Sequence, residues 1–222
     1  MANRKLIQLF LKEIMYAQKV DGTFLPAYKQ SLTGFGHKAR ETLDIFFKQD
    51  GELVGSSTLA CIQLQTVIPK GTRLATREDL AHIKMHEPEF LQDEYFDVGV
   101  ALHSALGPNE YLATILAEQL KLHRISLGGG KFIPFDALSL VEDEKAEHGL
   151  VLNLRPENLA GIIDLESHNW DYAGSRGLAR AYLGLDSDWS SNGEYLAESG
   201  GGGRVVSVSA KGVARDIEAR LA

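Results

Sequence analysis

The residues most able to do chemistry together lie in the segment GIIDLESHNWDYAG, residues 161–174. Asp164 and His168 are four positions apart, so their side chains share one side of a helix or of a strand. Asp171 joins them on a helix, whereas Glu166 joins them on a strand. A carboxylate beside an imidazole can orient a general base, or the two can bind a divalent metal that activates water. A solvated polar face gives the same pattern, and the sequence favours that interpretation without deciding between helix and strand.

A second set of possible metal ligands is the pair His82 and His86, again four positions apart. Two imidazoles on one face of a helix can bind zinc. The residue after His82 is Ile83, so the segment lacks the glutamate of an H-E-x-x-H metalloprotease helix. A third ligand would have to come from elsewhere in the chain, the candidates being Asp97, His103 and Glu166.

Two glycine-rich segments could approach an anion through their backbone N–H groups. SLGGGKF would add Lys131 as the counter-charge, and ESGGGGRVV would add Arg204. Neither segment matches a nucleotide-binding motif, and both lead into strand-like residues. Loops between strands are therefore the favoured interpretation.

Four aromatic residues lie in polar, turn-rich surroundings. They are Trp170, Tyr172, Trp189 and Tyr195, and they include both tryptophans of the chain. Tryptophan and tyrosine dominate the energetics of protein interfaces, so this placement predicts contact with a partner. Side chains that anchor loops to the protein's own core would give the same sequence pattern.

The composition is typical of a soluble globular protein, with 44% hydrophobic and 24% charged residues among 222. The net charge of −7 disfavours binding to nucleic acid. No run approaches the roughly 20 apolar residues that cross a bilayer, so no membrane association is expected. Cys61 is the single cysteine and lies in an apolar run, which predicts a buried side chain and a reducing, cytoplasmic location.

Helices and strands that could position these side chains are interleaved along the chain. Helical periodicity covers residues 4–20, 37–51, 77–90 and 107–124, and the sequence also predicts helices over 136–148 and 175–185. Strands are predicted within 52–69, 94–107, 125–135, 149–155 and 204–210, and a polar turn region over 186–203.

This order of elements predicts an α+β fold, with amphipathic helices packed on a mixed, mostly antiparallel sheet and a helical N-terminal region. We expect a single domain over residues 1–222, with a helical part at about 1–50 and a mixed α/β body at about 51–222.

Two functional hypotheses follow. The first is a non-catalytic soluble binding or assembly protein that acts through a protein–protein interface, with another protein or a second copy of the chain as its partner. The alternative is a metal-dependent hydrolase, of phosphoesters for example, that uses Asp164, His168 and Asp171 with help from His82 and His86. The alternative requires a divalent metal cofactor. The first is favoured because each catalytic arrangement needs a further residue that the sequence cannot place.

Overall fold

In the computed structural model of the protein, the described residues are 15–44, 46–47, 53–54, 56–166, 170, 176–186, 188–193, 195–198 and 201–210. Helices pack on antiparallel sheets, so the predicted α+β fold is confirmed. The α-helices are α1 (Leu25–Ser31), α2 (His37–Leu43), α3 (Thr58–Leu64), α4 (Arg77–His86) and α5 (Glu110–Leu122). The strands are β1 (Met15–Lys19), β2 (Phe46–Phe47), β3 (Leu53–Val54), β4 (Thr72–Leu74), β5 (Phe96–Leu102), β6 (Lys131–Pro134), β7 (Leu138–Glu142), β8 (Leu150–Leu154), β9 (Ile163–Asp164), β10 (Leu178–Leu183), β11 (Trp189–Gly193) and β12 (Val206–Ala210).

The largest sheet has five antiparallel strands in the order β11-β10-β5-β6-β9. Its central strand, β5, is buried along all seven residues. At Gly99 a Cβ atom would lie 2.3 Å from the carbonyl oxygen of Ile133, so β6 can approach this closely only because the residue is glycine. This central strand carries Asp97.

Three smaller sheets complete the strand pairing. β12 lies between β1 and β4, and two hairpins are formed by β2 with β3 and by β7 with β8. The side-chain amide of Gln119 on α5 meets β8, donating to the Leu152 carbonyl oxygen at 2.9 Å and accepting from the Leu154 N–H at 2.7 Å. Buried backbone groups that a neighbouring strand would otherwise satisfy are thus paired by a side chain.

Two clusters of buried apolar side chains form the core, and β5 belongs to both. Val100 and Leu102 pack in the cluster with α3, α5 and the β7–β8 hairpin. Phe96 and Val98 pack in the cluster that contains residues of α4, β10 and β12. Because each fully buried side chain of this size contributes roughly 1.5–3 kcal/mol, β5 is a main source of stability.

Several predicted elements are confirmed. α4 begins as expected at a capping box, in which Thr76 Oγ1 accepts from the Asp79 N–H and the Asp79 carboxylate accepts from the Thr76 N–H. The helix α5 and the strands β5, β6, β8 and β12 also lie within their predicted segments.

Two predictions near the N-terminus are wrong. The helix predicted over residues 4–20 is a strand at Met15–Lys19, which pairs with β12, and its earlier part lies outside the described residues. The run containing Cys61 was predicted as strand but forms α3, all of whose residues are buried. A helix buried on every side shows no amphipathic period, and so its apolar run resembles a buried strand.

Two predicted helices are strands as well. The stretch 136–148 forms β7 at Leu138–Glu142, which pairs with β8 over its whole length. The stretch 175–185 forms β10, which lies between β5 and β11. The alanine, leucine and arginine residues of β10 favour a helix locally. Pairing of β10 with a strand on each side outweighs that weak preference.

None of the helices in the described part of the chain combines the length and the apolar composition that a bilayer-spanning helix requires.

Candidate functional site

Of the predicted carboxylate–histidine cluster, the structure describes Asp164, whereas His168 and Asp171 lie outside the described residues. Asp164 on β9 is the register partner of Lys131 on β6, and its carboxylate accepts a hydrogen bond from the Lys131 ammonium. Lys131 also donates to the Gly128 carbonyl oxygen at 3.0 Å. Two residues that the sequence assigned to different motifs are therefore an ion pair, and the charge of Lys131 is already compensated.

The predicted metal ligands are spread over the surface and the interior. His82 and His86 are exposed on α4 with ring centroids 4.3 Å apart. His103 lies elsewhere, where burial lowers its pKa and a ring nitrogen contacts the Ser191 carbonyl oxygen at 3.1 Å. Within the ranges that the structure describes, no three His, Cys, Asp or Glu side chains are grouped so that they could hold one metal ion.

The two tryptophans contact each other. Their ring centroids are 5.5 Å apart in an edge-to-face arrangement, and Trp170 is only 4% exposed. The Arg77 guanidinium lies over both rings, 5.6 Å from the centroid of Trp170 and 5.1 Å from that of Trp189. Trp170 thus belongs to the core, while Tyr195 is 65% exposed and Tyr172 lies outside the described residues.

Arg204, the counter-charge predicted for the second glycine loop, is buried and bound within the chain. Its Nε is 3.0 Å from Glu94 Oε1, and its Nη1 donates to the carbonyl oxygens of Gly201 and Gly203 at 3.0 and 2.7 Å. Glu94 also pairs with Lys19 at 2.6 Å. The Arg204 guanidinium therefore connects the glycine turn that precedes it to Glu94, just before the start of β5.

An open cleft of about 630 Å³ lies beside that turn, at the β10–β11 hairpin. Residues of the hairpin and of two neighbouring segments line it. Its charged, aromatic and exposed apolar lining residues are Tyr95, Arg180, Tyr182, Leu185, Asp186, Asp188 and Glu198. The volume lies in the range of sites that bind ligands or side chains of a partner.

The floor of the cleft is a buried ion pair between neighbouring strands. Arg180 on β10 donates from Nε to Asp97 Oδ1 at 3.0 Å and from Nη2 to Asp97 Oδ2 at 2.6 Å. Its Nη2 also donates to the Ser56 carbonyl oxygen. The guanidinium carbon lies 5.0 Å from the ring centroid of Tyr95 and 5.8 Å from that of Tyr182. Two-point pairing and two aromatic contacts hold this arginine in a single position.

Burial shapes the electrostatics of this floor. The Asp97 side chain has no exposed surface, and burial raises its pKa although Arg180 opposes the shift. For Arg180, burial acts to lower the pKa, but the charge and hydrogen bonds of Asp97 outweigh it and raise the pKa above its ordinary value. The Asp97 carboxylate therefore depends on the Arg180 guanidinium to remain charged in this environment.

Cys61 lies behind the ion pair. Its Sγ is 3.9 Å from Ser56 Oγ, which in turn accepts from the Asp97 backbone N–H at 3.2 Å. Burial, followed by the nearby Asp97 charge, raises the pKa of the thiol. Nucleophilic cysteines require the opposite shift, so Cys61 is a buried core residue, as its apolar neighbours predicted.

The rim of the cleft is acidic and partly apolar. Asp186, Asp188 and Glu198 are exposed, and within the described part of the chain none of the three forms an ion pair. Leu185 beside them is 59% exposed. Tyr195 belongs to the same turn as Glu198, whose N–H donates to the Tyr195 carbonyl oxygen at 3.4 Å.

Sequence reasoning missed this cleft. Arg180 and Tyr182 lie in a segment predicted as helix, and Asp97 was considered as a metal ligand. The acidic pair Asp186 and Asp188 lies in the predicted polar turn region, but the floor formed by Tyr95, Arg180 and Tyr182 comes from two segments that are far apart in the sequence. Their proximity depends on the pairing of β10 with β5, which the local pattern did not reveal.

Comparison with models of known protein families, with curated proteins and with solved structures gives no match to this chain. The geometry of the cleft is therefore the basis for inferring a function.

Proposed function

We propose that the protein is a non-catalytic binding protein that acts through a protein–protein interface centred on the cleft at the β10–β11 hairpin. The observation that supports this most directly is an open cleft of about 630 Å³ that is lined by the exposed side chain of Leu185 and by the aromatic side chains of Tyr95 and Tyr182. An exposed leucine beside aromatic rings is the kind of surface that gains free energy when a partner covers it.

The floor of the cleft supports binding because it is already in place. Moving Arg180 would leave Asp97 charged and unpaired in the protein interior, which costs several kcal/mol. A partner therefore meets a surface whose shape does not have to be ordered on binding, and preorganisation of this kind increases affinity.

The chemistry of the floor favours recognition over catalysis. The Asp97 carboxylate is fully engaged by Arg180, and the pKa of Cys61 is raised, so neither group is poised as a general base or a nucleophile. The buried thiol also supports the proposal of a reducing, cytoplasmic location.

Site-specific photo-crosslinking tests the proposal. A photoreactive amino acid is placed at Leu185 on the cleft rim and, as the control, at Leu122, which is 81% exposed at the end of α5 and does not line the cleft. We expect one discrete adduct from position 185 in cells and none from position 122. An adduct of twice the chain mass would identify a second copy as the partner.

Identical adducts from both positions, or none from position 185, would contradict an interface at the cleft. Because both side chains are exposed, neither substitution should disturb folding, and thermal denaturation of the two purified variants checks this.

A further inference from the structure

We infer that the cleft binds an extended, lysine-rich segment of the partner. This inference rests on the proposed function and specifies the chemistry of the ligand. Three features of the described residues support it: the balance of charge in the cleft, the spacing of the carboxylates and the apolar surface beside them.

The charge balance of the cleft is negative. Arg180 is the one cationic residue among the described residues that line it, and its charge is cancelled by Asp97 beneath it. Asp186, Asp188 and Glu198 therefore leave three uncompensated negative charges on the rim. The whole chain carries −7, so the long-range field also attracts cations and repels phosphate groups.

The three carboxylates are not grouped around one point, which favours a polycation over a single metal ion. In the described part of the chain, these three carboxylates are not among any group arranged to hold one ion. A Ca²⁺ or Mg²⁺ site needs oxygen ligands that converge within about 2–2.6 Å of one point. Cationic groups distributed along a peptide can meet separate carboxylates.

The surface around the carboxylates suits the side chain of lysine. Leu185 and the edges of the Tyr95 and Tyr182 rings provide apolar surface beside the negative charges. A lysine packs its methylene stem on such surface while its ammonium group stays hydrated and reaches an acceptor. Arg180 already occupies positions over both tyrosine rings, which shows that these rings tolerate a close cation.

Binding of a synthetic peptide of alternating lysine and glycine to the purified full chain tests the inference, with fluorescence anisotropy as the measurement. The same peptide with every lysine acetylated keeps the length and removes the charge. We expect the basic peptide to bind, the acetylated peptide not to bind, and the affinity to fall as salt rises from about 0.05 to about 0.3 M, because exposed charges are screened.

The decisive comparison is between two variants with equal net charge. D186N/D188N removes two of the three negative charges on the rim, and E144Q/E147Q removes two exposed negative charges that do not line the cleft. We expect roughly tenfold weaker peptide binding for D186N/D188N, from about threefold per carboxylate, and less than about twofold for E144Q/E147Q. Equal weakening by both variants, or no binding by the wild type, would overturn the inference.

Two further outcomes separate the alternatives. Spermidine that binds as tightly as the peptide would show recognition of charge without a peptide chain, and would overturn the assignment to a protein segment. A discrete crosslink from position 185 together with absent peptide binding would overturn the lysine-rich ligand and leave the proposed interface standing.

Discussion

The buried ion pair beneath the cleft leads to the most specific prediction, which concerns the variant Arg180→Met. Methionine keeps much of the side-chain volume but removes the charge that compensates Asp97, whose side chain has no exposed surface. It also removes the two donors to Asp97 and the donor to the Ser56 carbonyl oxygen. Removal of one partner from a buried pair costs about 3–5 kcal/mol in the free energy of unfolding.

The pH dependence of this cost has a definite sign. Burial raises the pKa of Asp97, and in the variant Arg180 no longer opposes that shift. The folded variant therefore binds a proton at pH values where the unfolded chain, with a pKa near 3.9, has lost it. The stability of the variant falls as pH rises from the unfolded pKa through the folded one, so its deficit relative to wild type is smaller at about pH 5 than at about pH 7.

Urea denaturation of wild type, Asp97→Leu, Arg180→Met and the double variant Asp97→Leu/Arg180→Met at both pH values provides the measurement. The double variant should be more stable than Arg180→Met at pH 7, because it leaves no uncompensated charge in the interior. A loss below about 1 kcal/mol for Arg180→Met, or a double variant destabilised by the sum of its single changes, would refute a tightly coupled ion pair.

Three further predictions concern α4, the buried thiol and the metal hypothesis. Thr76→Ala should lower the free energy of unfolding by about 1 kcal/mol in urea titration, because it removes half of the capping box, whereas Thr76→Ser keeps the accepting oxygen and should cost less. Cys61 should resist iodoacetamide in the folded protein and react once urea unfolds it, as followed by mass spectrometry; rapid labelling without urea would contradict its burial. Under the proposed binding function, EDTA should leave the Tm unchanged, whereas a stoichiometric divalent metal in the purified protein would favour the hydrolase hypothesis.

The sequence predicted those elements whose structure is determined by interactions between residues close together in the chain. The helix α4 begins at its own capping box and the helix α5 carries an apolar stripe, and both helices were predicted. By contrast, β10 has residues that favour a helix, and its state is decided by β5 and β11 on either side. α3 is buried on all sides, so its periodicity was hidden.

In the candidate site, too, local features could be predicted from the sequence and long-range contacts could not. The sequence identified chemically capable side chains, including Asp97, Lys131, Asp164 and Arg204, but it could not assign their partners. Arg180 and Asp97 are 83 positions apart, and Lys131 and Asp164 are 33 apart. Lys131 and Asp164 are register partners of β6 and β9, and Arg180 and Asp97 lie on the paired strands β10 and β5, so both contacts are properties of the assembled sheet.

The sequence by itself determined the α+β class, the burial of its single cysteine and the presence of the helices α4 and α5, because composition, apolar periodicity and capping act over a few residues. Only the tertiary structure decided that Trp170 lies in the core and that Arg180 forms the floor of an acidic cleft. Those outcomes depend on long-range strand pairing and on desolvation, and neither is encoded in the spacing of neighbouring residues.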